Sequence, residues 1–230
     1  MSGLPFPGGT SVTRLRVYEL GPAADGLDGG TPHLHTVSSE AYVVLGGAGA
    51  VQLLDRSGYR EQPLAAGDVV WFGPGTVHRA VNHGGLDLLV ILSNRGLPEH
   101  GDAVMTFPDA VLADPEAYAS AAAPGEEPPR ARRDLGVEGF LALRDALLAG
   151  DGAPYERMLD RATALVHPLA GSFAQQRMAS VGADEALGSA ALRALAAASS
   201  DGLGALAPRA SRLEGSAYGM CGVLQRLDGD

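Results

Sequence analysis

The chain has 230 residues and a formal net charge of −10, and all 17 of its basic residues are arginine. Without lysine there is no amine for a Schiff base to a carbonyl substrate or to pyridoxal phosphate, and no lysine cradle for phosphate. The acidic balance, with a pI near 5.0, argues against a nucleic-acid backbone or an anionic membrane surface as main partner, because both select clustered positive charge.

Isoleucine occurs once, at Ile91, and asparagine only at Asn82 and Asn94, so part of the missing lysine is compositional drift. Val, Leu and Ala therefore have to stand in for Ile in strands. Residues 1–10 carry no basic residue and no apolar core, and no stretch stays apolar long enough to span a bilayer, so a cytoplasmic protein is expected. Cys221 is the single cysteine, in a Gly-rich tail, and reads as a packing thiol.

In the first half, short apolar runs lie between Gly, Pro, Asp and Ser punctuation, as in an all-β sandwich or barrel. Residues 12–20 alternate. Runs 42–45 and 50–54 flank a glycine-rich turn at 46–49, read as a tight hairpin, and Ser57-Gly58 leads into 59–62. Gly67-Asp68 opens 69–72, Pro74-Gly75 turns into 78–82, and His83-Gly84-Gly85 leads into 86–93.

Beyond about residue 107 the pattern becomes helical. An Ala-rich helix is expected over 114–123, and 124–133, with three prolines and three arginines, reads as a linker. A helix over 137–148 carries Arg144 in its apolar face, where it can snorkel, pair with a carboxylate or bind substrate. Residues 154–166 give the clearest helix: Pro154 in the first turn, an apolar stripe of Tyr155, Met158, Leu159, Ala162, Leu165 and Val166, and Pro168 as its stop. A third helix is expected over 183–198. The last twenty residues carry no assignable pattern.

Three of the six histidines fall in the strand-rich half at suggestive positions. His33 and His35 are two apart, so in a strand both imidazoles point to one face. Glu40 opens the next strand and His78 follows the Pro74-Gly75 turn, so a carboxylate and a third imidazole can enter the same cavity. Three neutral imidazoles and one carboxylate leave open positions on an octahedral first-row ion. Each residue alone also fits an ordinary hydrogen-bonded histidine. His83, His100 and His167 read as solvated or capping residues.

His33-x-His35, four residues, Glu40, six residues, Gly47 resembles the first motif of the cupin superfamily. Gly67, Pro74-Gly75, two residues, His78, three residues and Asn82 resembles the second. Gly73 and Leu27 depart from the pattern at turn positions. The resemblance covers roughly residues 12–107. It implies a mainly β fold, a double-stranded β-helix (jelly-roll barrel) over 1–115. A helix and linker would follow over 116–133, then a helical extension over 134–230. It also implies a metal held by His33, His35, Glu40 and His78, with Fe(II) favoured and Mn, Ni, Zn, Cu or Co as alternatives.

Alternation then turns Tyr42, Val44, Ala80 and Asn82 inward as pocket candidates. Tyr42 is either a hydrogen-bond donor to substrate or a packed aromatic, and Asn82 serves the fold. Arg79 is expected on the surface or at a subunit contact, and one of Trp71 and Phe72 fills the barrel. The function implied is a metal-dependent oxidoreductase of dioxygenase type acting on a small organic substrate. The alternatives are a metal-dependent isomerase, lyase or decarboxylase, and a non-enzymatic small-molecule-binding module. A homodimer is expected, with neither nucleic acid nor membrane as partner.

Overall fold

In the computed structural model, which describes residues 6–123, 129–200 and 211–227, the first half of the chain forms seven antiparallel strands. They are β1 (Ser11–Val17), β2 (His33–His35), β3 (Glu40–Asp55), β4 (Gly58–Ala65), β5 (Val69–Phe72), β6 (Val77–Leu92) and β7 (Ala103–Met105). β3 and β6 are each 16 residues long and serve two sheets. The half of β3 that begins at Glu40 pairs with β5 and with the end of β6; the half from Ala48 pairs with β4 and with the start of β6. β1 extends one sheet and β2 with β7 extends the other, giving the double-stranded β-helix expected from the sequence.

The tight hairpin expected at 46–49 is absent. Runs 42–45 and 50–54 are one strand, and 78–82 continues without a break through 86–92. The glycines bend β3 from one sheet into the other through register shifts between Val44 and Gly49. Gly47 has a φ of +74°, and a Cβ there would lie 2.1 Å from the Gly85 carbonyl oxygen; one at Gly49 would lie 2.2 Å from that of Val81. A glycine run has the same composition whether the chain reverses or bends, and pairing with β6 decides for the bend.

Alternation along the strands then separates two cores. Leu15, Tyr42, Val44, Val51, Phe72 and Leu88 fill the barrel. Leu34, Leu54 and Val77, their neighbours on the opposite face, pack under helices. Those helices are α1 (Asp109–Leu112), α2 (Pro115–Ala122), α3 (Arg130–Leu148), α4 (Ala153–Val166) and α5 (Ala170–Ala196). Asp114 caps α2, accepting from the N–H groups of Glu116 and Ala117 at 2.9 and 3.2 Å. α4 buries Tyr155, Met158, Ala162 and Val166, as its stripe predicts, and each large apolar side chain contributes roughly 1.5–3 kcal/mol.

α3 lies close against the barrel because it presents glycine. A Cβ on Gly139 would sit 2.0 Å from the Thr106 carbonyl oxygen, and the Thr106 hydroxyl donates to Gly136 O at 2.9 Å. The expected linker over 124–133 requires correction. Residues 124–128 lie outside the described part, but Arg130, Arg132 and Arg133 belong to the first turn of α3. Arg133 is fully buried, bound to Asp134 at 2.6 Å, Asp28 at 3.4 Å and Gly21 O at 2.9 Å. Arg144 pairs with Asp145 at 2.8 Å. Pro168 does not end the helical path: a single turn at His167–Leu169 passes directly into α5, so the helix expected over 183–198 is the latter part of a 27-residue one.

The helical extension expected over 134–230 is also corrected. Its last described helix ends at Ala196, and residues 211–227 return to the barrel with a hairpin of β8 (Leu213–Tyr218) and β9 (Gly222–Leu227). β9 pairs with β1, Leu224 opposite Leu15. Gly222 permits this approach, since a Cβ there would lie 2.0 Å from Arg16 O. The barrel is thus built from two stretches of chain separated by the helices.

Candidate metal centre

β2 turns His33 and His35 into the barrel while Leu34 packs outward, and His33 stands directly opposite His78 of β6. Glu40 enters from the first residue of β3. All four side chains are buried, and one donor atom from each lies within 4.8 Å of the others. The Glu40 carboxylate oxygen Oε2 is 3.0 Å from Nε2 of both His35 and His78, and Nε2 of His78 is 3.1 Å from Nε2 of His33. The structure therefore brings together the four residues singled out in the sequence.

The far nitrogens of the rings fix what the near ones offer. Nδ1 of His33 faces Thr31 O at 2.9 Å, Nδ1 of His78 faces Thr76 O at 3.1 Å, and Nδ1 of His35 faces the Asp102 carboxylate at 3.3 Å. These partners only accept, so the proton of each neutral ring sits on Nδ1 and the Nε2 lone pair points into the shared space. Oε2 of Glu40 is buried with no hydrogen-bond donor. Lone pairs facing one another around an orphaned carboxylate oxygen are repulsive without a cation between them, and the donor set fits a divalent first-row ion.

The surroundings act differently on the rings: His33 is held neutral, whereas in the metal-free protein His35 is held protonated, so an ion bound there displaces its Nε2 proton. Burial, with His78 and His35 beside it, holds His33 well below the ordinary imidazole value. Burial alone would raise the Glu40 carboxyl, but His78 and His35 hold it far below the usual carboxylate range. For His35, burial is outweighed by Asp102 and Glu40, which raise it to about 9.

Asp102 is the supporting residue that sequence reasoning missed. Fully buried, it accepts from the N–H groups of Thr36, Val37 and Ser38 and from the Thr36 hydroxyl, at 2.7–3.1 Å. It lies 67 residues from His35, a distance that no local motif spans. The Tyr155 hydroxyl donates to Gly75 O at 2.8 Å, so α4 fixes the turn that leads to His78.

A cavity of about 580 Å³ opens onto His33, His35 and Glu40. Its walls are largely apolar, with Leu15, Val90, Met105, Leu165, Met220 and Leu224 among them. Tyr42, Val44, Ala80 and Asn82 do point inward and are buried, but none lines this cavity. Tyr42 packs edge-on against Phe72, and Asn82 holds turns, donating to Val17 O at 3.0 Å and accepting from Gly84 and Leu86. The wall comes from β1, β6 and β7 together with the helices and the terminal hairpin, and the barrel motifs do not encode the latter two.

One further expectation changes, that for Arg79. Arg79 is fully buried and pairs with Asp25, anchoring the loop before β2, because its strand neighbours leave it no path to the surface. Phe72 packs on His78, whereas Trp71 is 75% exposed. Cys221 lies in the cavity wall, its sulfur 3.8 Å from Nδ1 of His33, and burial, then Glu40, pushes its thiol up to about 12. His83, His100 and His167 stay outside the cluster. No helix among the described residues is long and apolar enough to cross a membrane.

Residues 21–93 match the family model described as "Cupin domain". No curated protein matches the chain. Solved structures that align with it include a variant of the Streptomyces protein PAC13 with uridine, at 20% identity over 40% of this chain and 63% of that one, TM-score 0.30. A cupin protein from Bacteroides fragilis aligns at 22% identity over 38% and 65%, TM-score 0.27. The WlaRB TDP-quinovose 3,4-ketoisomerase from Campylobacter jejuni aligns at 20% identity over 36% and 60%, TM-score 0.31. In each case the alignment spans less than two thirds of the other protein. The family match over the strands that carry His33, His35, Glu40 and His78 identifies residues 21–93 as a cupin domain.

Proposed function

We propose that the protein is a metal-dependent oxidoreductase of dioxygenase type acting on a small organic substrate. The observation that carries the reading is the pairing of a three-imidazole, one-carboxylate donor set with a cavity that offers little other acid or base. Among the described residues lining it, the ionisable groups besides His33, His35, Glu40 and Cys221 are Glu99, which is exposed, two tyrosines, and Arg132 and Arg226, whose guanidinium groups stay protonated and cannot serve as a base. The Tyr118 hydroxyl already accepts from the Met105 N–H, and Tyr218 is 40% exposed. A reaction that relies on a buried general base beside the substrate has no clear agent here, which favours chemistry centred on the ion.

An Fe(II) or similar ion held by His33, His35, Glu40 and His78 would supply the activation of dioxygen and of an organic substrate. The protein's own residues do the rest. Asp102, Thr31 and Thr76 hold the imidazoles in one tautomer, Glu40 balances charge, and the apolar wall excludes water from the reacting atoms.

The test is dioxygen uptake by Fe(II)-loaded protein across a panel of small aromatic and aliphatic substrates, beside a His35→Ala control. Substrate-dependent uptake that the control abolishes supports the reading. Retained metal with substrate conversion but no dioxygen consumption replaces it with a Lewis-acid isomerase or decarboxylase.

A further inference from the structure

We infer that Arg132 sets the substrate class of this cavity: a small molecule with a carboxylate at one end and an apolar or aromatic body. The inference rests on the proposed function in so far as the cavity is taken as the substrate site.

Arg132 lines the same cavity as His33, His35 and Glu40 although it belongs to α3, far outside the family match. Its Nη2 donates to Gly219 O at 2.6 Å and its Nη1 to Ala122 O at 3.5 Å. Gly219 is two residues from Cys221, whose sulfur is 3.8 Å from His33, so the guanidinium grips the turn that abuts the metal ligands. Its Nε–H is buried without an acceptor. Arg79 and Arg133, the fully buried arginines, each hold a carboxylate, whereas Arg132 has no carboxylate partner among the described residues.

A guanidinium kept partly out of water without a counter-ion is costly, and its planar fork matches a carboxylate in two parallel hydrogen bonds. The remaining charges agree. Arg226 lines the cavity at an exposed position, and among the described residues Glu99 is the one carboxylate there besides the ligand Glu40, and it too is exposed. With a divalent ion in place the cavity is a local positive region in a chain of net charge −10, which concentrates small anions there. In the same cavity Leu15, Met105, Met220 and Leu224 provide an apolar wall.

The test is calorimetric titration of the full chain loaded with Zn(II), which binds without redox turnover. The probes are a panel of small monocarboxylates led by phenylacetate, each beside its neutral amide. The expected result is carboxylate binding at least tenfold tighter than amide, with the preference lost in Arg132→Met, partly regained in Arg132→Lys and kept in Arg226→Gln. Metal content should be unchanged in all three variants. Equal binding of acid and amide, no saturable binding by any acid, or an undiminished preference in Arg132→Met would each overturn it, the last by assigning the preference to the ion. Should Arg132→Met not fold, the wild-type contrast and the Arg132→Lys titration still decide. Because Zn(II) supports no oxidation, this result and the dioxygen result fail independently.

Discussion

His33 and His78, partners across β2 and β6, turn their Nε2 atoms toward each other at 3.1 Å while the Nδ1 of each faces a main-chain carbonyl. Neither Nε2 of the neutral rings has a proton to share, so the contact is satisfied by a cation. Purified protein should therefore carry about one divalent first-row ion per chain. His78→Ala should lower metal content after exhaustive dialysis to a small fraction of wild type. Unchanged content would remove the site assignment.

Asp102 acts on the metal only through His35 and the 36–38 loop. Asp102→Asn should weaken metal affinity by about 10–100-fold without removing a ligand. It should also alter acid stability. Burial opposes the ionised carboxyl, but His35, Ser38 and Thr36 hold it well below its ordinary value. Its contribution is complete above about pH 4, the unfolded carboxylate range, and is lost as pH falls toward the depressed folded value. Urea unfolding between pH 5 and 2 should show a flatter decline in the variant than in wild type.

The metal-free protein should lose stability on the alkaline side as well. His35 is raised from 6.5 to about 9, so its charged pairing with Asp102 and Glu40 stabilises fully below about pH 6.5 and is lost as pH rises through 9. Thermal melting of metal-free protein at pH 6 and pH 10 should give the lower midpoint at pH 10. A His35→Ala variant should lack that component of the difference.

The bend of β3 depends on glycine at one position and not at its neighbour. Gly47→Ala meets both a positive φ and the Gly85 carbonyl, and should destabilise by at least ~2 kcal/mol. Gly46→Ala, with open space at its Cβ, should stay within about 0.5 kcal/mol of wild type. Equal midpoints in denaturant for the two variants would contradict the close crossing of β3 and β6.

Cys221 is buried and its thiol is raised to about 12, so it should react with a thiol reagent only as fast as the barrel opens. Adding guanidinium chloride should bring the full thiol signal. Rapid labelling of native protein would show that β9 does not close the barrel.

The metal ligands were legible in the sequence because local rules govern them. His33 and His35 share a face by strand alternation, and Glu40 and His78 open their strands at fixed spacings from turn glycines. The stripe of α4 was legible for the same reason, since a 3.6-residue period is a local property. Asp102, Arg132 and Cys221 were not legible as site residues. The first supports His35 from 67 residues away, and the others reach the cavity through helix packing and a hairpin that returns to β1.

The 46–49 run shows the same division at one place. Its composition marked a backbone that needs glycine, yet hairpin and bend share that need, and only the pairing of β3 with β6 on both sides selected the bend. By itself the sequence marked a mainly β first half and His33, His35, Glu40 and His78 as candidate ligands, because strand alternation and turn chemistry act between near neighbours and the motif spacing resembles that of cupins. The tertiary structure decided what surrounds that site: the carboxylate behind His35, the arginine in the cavity wall and the strand that closes the barrel. Those positions are fixed by packing and charge pairing between segments distant along the chain, which no local pattern specifies.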